Sequence, residues 1–81
     1  MADATSDEID TYGERAVGLS FNPSGDDRVA WLKRKFAEVI DFCNSARAQT
    51  ADGEHKRLYS IAITEAQTAQ MWAVKAVTWR V

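Results

Sequence analysis

IAITEAQTAQMWAVKAVTWRV, residues 61–81, is the stretch whose reading decides the fold. It holds two of the chain's three tryptophans, Trp72 and Trp79, and only three charges, Glu65, Lys75 and Arg80. Followed upstream, its register carries two apolar faces at helical spacing. Leu58, Ala62, Glu65, Ala69, Trp72, Ala76 and Trp79 alternate steps of four and three, a heptad seam with one polar member. Tyr59, Ile63, Ala66, Gln70, Val74, Val77 and Val81 make a second stripe. The spacing predicts a helix from about Glu54 to about Trp79. The first stripe is expected to close the protomer and the second to build an oligomer. Trp72, Val74, Val77 and Trp79 are the expected oligomer core.

Upstream lies a short connection, Thr50-Ala51-Asp52-Gly53, which forces its flanking helices antiparallel and adjacent. Asp52 or Thr50 is the expected cap. The preceding helix is predicted from about Gly25 to about Gln49, with Val29, Leu32, Phe36, Val39, Cys43 and Ala46 as its seam. Trp31, Ile40 and Phe42 fall off that seam. Asn22-Pro23-Ser24-Gly25 punctuates the chain before it, and Ser24 with Asp27 fits a capping box. At about 1.5 Å per residue each helix spans roughly 35–40 Å. Leu19-Ser20-Phe21 reads as a brief extended approach. Ile9, Tyr12 and Val17 allow a helical turn or two, weakened by Gly13 and Gly18. The fold class is therefore all-α: an antiparallel helical hairpin with a short N-terminal segment, assembled as a homo-oligomer. Residues 1–18 read as an acidic, partly disordered segment with room for a short helix, and 19–81 as the hairpin domain for oligomerisation and ligand binding.

The 81 residues allow one domain, whose lone core is marginal at this size. A single cysteine, Cys43, makes no intrachain disulfide, and a single histidine, His55, offers no zinc spacing. Oligomerisation is the remaining route to stability. MADATSDEID has neither a basic n-region nor an apolar h-region, and the lone cysteine suits a reducing cytoplasm. No run of eighteen apolar residues suggests a membrane span. The net charge of −2 hides an asymmetry: five acids and no base in residues 1–14, then seven acids and ten bases. A mildly basic body attracts phosphates but falls short of a duplex-binding domain, so no polymeric nucleic acid is expected.

Catalysis is not expected. Cys43 lies on the seam and reads as a buried structural thiol; His55 sits in a first helical turn and reads as solvated. Glu65, on the other seam, needs a partner across helices or a ligand. The four glycines are scattered and form no phosphate-binding loop. No cofactor or metal is implied. Binding has better material. Phe21-Asn22-Pro23-Ser24 sets an aromatic ring, an amide and a hydroxyl beside a helix N-terminus, parts that suit a base and a phosphate. The same residues also read as a hydrophobic staple with caps. Lys33-Arg34-Lys35 is either a solvated face or an anion site, and so is the group Arg47, Lys56 and Arg57 at the hairpin tip.

FNPSG ahead of a heptad helix, followed by AITEAQTAQMWAVKAVTW, resembles the second type of phage anti-CBASS protein. These small sponges sequester bacterial immune signalling nucleotides, and a related hairpin occurs in a phage anti-Thoeris sponge. The resemblance covers roughly Leu19 to Trp79 and is most specific at Met71-Trp72-Ala73-Val74-Lys75-Ala76. It implies a hexamer of hairpins in the cytoplasm of an infected bacterial host. It implies uncleaved cyclic dinucleotides of the cGAMP type in pockets between protomers, and cyclic trinucleotides of the cyclic tri-adenylate type at separate sites. Carried onto this chain, Phe21 stacks on a base, Asn22 and Ser24 add polar contacts, and Lys35 or, second, Lys33 meets phosphate. Arg57 and Thr64 match the trinucleotide site. The alternative function is a structural adaptor that docks its second stripe on another protein.

Overall fold

The protein's computed structural model describes residues 10–80. The tail expected to be disordered, residues 1–8, and Val81 of the second stripe lie outside them. Three helices carry the fold: α1 (Tyr12–Val17), α2 (Asp27–Gln49) and α3 (Gly53–Val77). α2 and α3 pair as the expected antiparallel hairpin, and α1 packs mainly across α2.

Each helix starts on an oxygen cap. Thr11 and Glu14 form a complete capping box on α1. Asp52, one of the two expected caps, accepts the His55 N–H at 2.9 Å to open α3. α2 departs from expectation: its cap is Asp26, which accepts the Arg28 N–H at 2.8 Å, and not Ser24. Ser24 is already committed to a turn, in which the Gly25 N–H donates to the Asn22 carbonyl at 3.1 Å. That turn delays the helix by two residues. Gly18 closes α1 in the left-handed region, φ 64°. Its N–H donates to the Arg15 carbonyl and the Leu19 N–H to the Glu14 carbonyl, a Schellman pattern. A tight turn through Gly18–Ser20 thus replaces the extended approach expected at Leu19–Phe21.

The core is small. Val17, Ala37, Ile40, Cys43 and Ile63 form one buried cluster, flanked by Leu19, Phe36, Tyr59 and Ala66. Two expectations are corrected here. On α2 the inward stripe is Val29, Lys33, Ala37, Ile40 and Cys43; Ile40 is fully buried, whereas Val39 of the expected seam is 52 % exposed. On α3 the two faces exchange roles. The second stripe packs within the protomer through buried Ile63 and Gln70 and half-buried Tyr59, Ala66, Val74 and Val77. The heptad seam from Leu58 to Trp79 faces outward, and Glu65, being exposed, needs no buried partner. Val74 and Val77, expected in an oligomer core, are half-buried within the protomer, while Trp72 and Trp79 remain exposed.

α1 explains the change. Gly13 sits so close to α2 that an added Cβ would lie 2.1 Å from the Ala37 carbonyl oxygen. Its N–H donates to Asp41 Oδ1 at 2.7 Å. This contact turns the Ala37 side of α2 toward α1, and Val17 completes the cluster between the helices. Gln67 Nε2 reaches the Ala16 carbonyl at 3.4 Å and ties α3 to the same body. A seam counted at about 3.5 residues per turn suits two supercoiling helices; a three-helix contact at about 3.6 does not follow it.

Candidate functional site

The antiparallel hairpin brings the start of α2 against the end of α3. Val29 and Val74 therefore face one opening, which the Phe21–Ser24 turn shares with Thr78. A cavity of about 240 Å³ opens between them, lined by these residues and Lys33. The structure thus brings together Phe21, Asn22, Ser24 and Lys33 from the sequence expectation.

The Phe21 turn is fixed by its own polar groups. Ser24 Oγ donates to Asn22 Oδ1 at 2.7 Å and accepts the Asp26 N–H at 3.1 Å. Asn22 Nδ2 donates to the Asp26 carbonyl at 3.1 Å. The Phe21 N–H closes back on the Gly18 carbonyl at 2.9 Å. The Phe21 ring is left 71 % exposed, which makes it a free stacking face.

Lys33 lies beneath the turn and is 6 % exposed. Its ammonium donates to the Gly18 carbonyl at 3.0 Å and to the Phe21 carbonyl. Nζ also stands 5.6 Å from the centroid of the Phe21 ring. Burial holds this ammonium below the usual lysine pKa. Lys33 is first a staple between α2 and the turn. Lys35 is elsewhere: a rotation of about 100° per residue carries it to another face of α2. There its Nζ lies 3.7 Å from Glu38 and 5.7 Å from the centroid of the Trp31 ring.

A second, more polar cavity of about 360 Å³ adjoins the first and shares Ser24 and Thr78 with it. Asp26, Arg28, Val77, Trp79 and Arg80 complete its lining. Hydrogen bonds from Arg28 hold the Asp26 carboxyl below its usual range. Sequence reasoning placed no ligand group among Arg28, Thr78 and Arg80. Counting outward from the hairpin loop is the signal that puts them beside the Phe21 turn.

The hairpin tip is engaged in structure. Arg47 donates to Ser60 Oγ at 3.0 Å and Asn44 Oδ1 at 2.7 Å, and its guanidinium carbon lies 5.8 Å from the centroid of the Tyr12 ring. Lys56 Nζ donates to the Arg47 carbonyl at 3.0 Å. Arg57 pairs with Glu54 at 2.6 Å. Thr64 lies seven residues beyond Arg57, on the same exposed face of α3. Trp72, Lys75 and Trp79 form an outer ladder, with Lys75 Nζ 5.8 Å and 5.9 Å from the two ring centroids. No helix among the described residues is long and apolar enough to cross a membrane.

Comparison with protein-family models matches residues 14–78 to one described as Acb2/Tad1, hairpin domain. Comparisons with curated proteins and with solved structures return no match.

Proposed function

The chain belongs to the Acb2/Tad1 hairpin-domain family, phage sponges for immune signalling molecules and not enzymes, and from that premise we propose that it sequesters cyclic di- and trinucleotides without cleaving them. It would thereby antagonise bacterial CBASS defence in the cytoplasm of the infected host. The observation that supports this reading is the cavity under the exposed Phe21 ring, at the junction of the turn with the end of α3.

A cyclic dinucleotide has two flat bases and two phosphates. Two protomers, each offering one Phe21 ring, match its two-fold form. Stacking contributes about 1–3 kcal/mol per base. Lys33 lines the cavity of its own protomer, whereas Lys35 reaches such a ligand only from a neighbouring one. Arg57 and Thr64, on the outward face of α3, serve the trinucleotide at a separate site where several protomers of a hexamer converge.

Calorimetry against a panel of cyclic di- and trinucleotides tests the reading. Phe21→Ala abolishes dinucleotide binding and leaves the trinucleotide and the assembly intact; Arg57→Ala does the reverse for the ligands. At ligand a hundredfold above Kd the fold gains about 2.7 kcal/mol. The ligand recovered from the complex is intact. An adaptor would show no stabilisation by any member of the panel, and linear product would sink the sponge in favour of an enzyme.

A further inference from the structure

The two adjoining cavities differ in chemistry, and the difference divides a nucleotide between them. The first is largely apolar, and its one cation, Lys33, already gives protons to two backbone carbonyls. An ammonium has three, so at most one remains for a ligand. Such a cavity suits a base better than a phosphate. It is also smaller than the roughly 300–1,000 Å³ typical of sites for drug-sized ligands. The second cavity is reached across Ser24 and Thr78 and supplies both room and charge.

Asp26 and Arg28 largely neutralise each other there. Arg28 Nε and Nη2 lie 3.2 Å and 2.9 Å from the two Asp26 oxygens, and no described residue engages its Nη1. Arg80 has no ion pair or hydrogen bond among the described residues, so it leaves the cavity with one uncompensated positive charge. The hydroxyl protons of Ser24 and Thr78 are spent, on Asn22 Oδ1 and on the Val74 carbonyl. The guanidinium groups are therefore the strong donors left. A planar guanidinium with several N–H groups is the side chain best matched to phosphate oxygens.

We propose that the second cavity is a phosphate site, in which Arg80, assisted by Arg28 Nη1, holds the phosphate of the nucleotide whose base rests against Phe21. The inference deepens the reading of this protein as a cyclic-nucleotide sponge and rests on it. It adds the end of α3 and the start of α2 to the lysines as sources of phosphate contacts.

Titration calorimetry with 3′,3′-cGAMP at several salt concentrations, on the wild-type chain and on Arg80→Gln, tests it. Circular dichroism verifies that the variant is folded. Arg80→Gln should weaken binding by about tenfold or more, as for loss of a hydrogen bond between charged groups. Its affinity should also fall less steeply with salt. Guanosine, which carries the base without phosphate, should bind both chains equally by saturation-transfer NMR. Wild-type affinity and an unchanged salt slope in Arg80→Gln would overturn the phosphate site while leaving the sponge reading in place. Equal loss of guanosine and cGAMP would also overturn it, because Arg80 would then shape the base pocket. If the wild-type chain binds no cyclic dinucleotide, the sponge reading itself fails and this inference with it.

Discussion

Gly13 shows how one missing methyl group orients a fold. Sequence reading finds only its cost, since glycine lowers helix propensity. The structure shows its use: α1 rests on α2 where any Cβ would strike the Ala37 carbonyl, 2.1 Å away. Gly13→Ala is expected to cost about 1–3 kcal/mol by overpacking, read as a lower midpoint in chemical denaturation. An unchanged midpoint would mean that α1 is not held at this contact. Lys33 is the second residue whose role is concealed in the sequence. It sits in a run of three basic residues, where a solvated face is the ordinary reading, yet it shares the buried stripe of Val29, Ala37 and Ile40. The steps of four and three from Val29 through Lys33 and Ala37 to Ile40 were visible. The carbonyls of Gly18 and Phe21 that satisfy its charge were not, because they depend on how the turn folds back.

At the scale of elements, periodicity found the helices and misassigned their faces. α2 ends at Gln49 as expected and α3 at Val77, two residues before the expected Trp79, and the short loop dictated their antiparallel pairing. Which stripe turns inward could not be read, since two faces of α3 have comparable apolar content and the choice depends on α1, a six-residue helix. The wide tryptophans favour the outward choice: Trp72 and Trp79 remain 65 % and 63 % exposed, while Ile63 is buried and Val74 and Val77 are half-buried. The exchange is testable by paired substitutions. Ile40→Ala, at a fully buried position, should cost about 2–5 kcal/mol at every protein concentration. Leu58→Ala, on the outward seam, should leave the protomer's own stability within about 0.5 kcal/mol, with any larger loss depending on concentration. The reverse ranking in denaturation curves would restore the heptad seam as the inner face. The Phe21 turn was legible as a candidate site from its composition. The contribution of Val74 and of Thr78, the residue after α3, depends on the antiparallel pairing of the two long helices.

For the molecule as a whole, the balance of apolar surface is the informative quantity. Six apolar residues are buried among the described residues, whereas ten large ones are exposed, a large outward apolar share for so small a chain. Large exposed apolar patches on a small chain mark interaction surfaces. Association of copies is accordingly expected, with light scattering giving a mass several times that of one chain. Trp72→Glu should lower that mass while preserving the helical circular dichroism; an unchanged mass would place the contact elsewhere. The tethered Phe21 turn has a further consequence, in time and not in affinity. Its backbone is held from both sides before any ligand arrives, by the Lys33 ammonium and by the Asn22–Ser24–Asp26 bonds. A turn already in place requires no loop closure on binding, the kind of step that slows association below the ordinary range of about 10⁵–10⁷ M⁻¹s⁻¹. A protein that removes a signal must reach it before the receptor does. A rigid turn suits that race, because capture then waits on encounter alone.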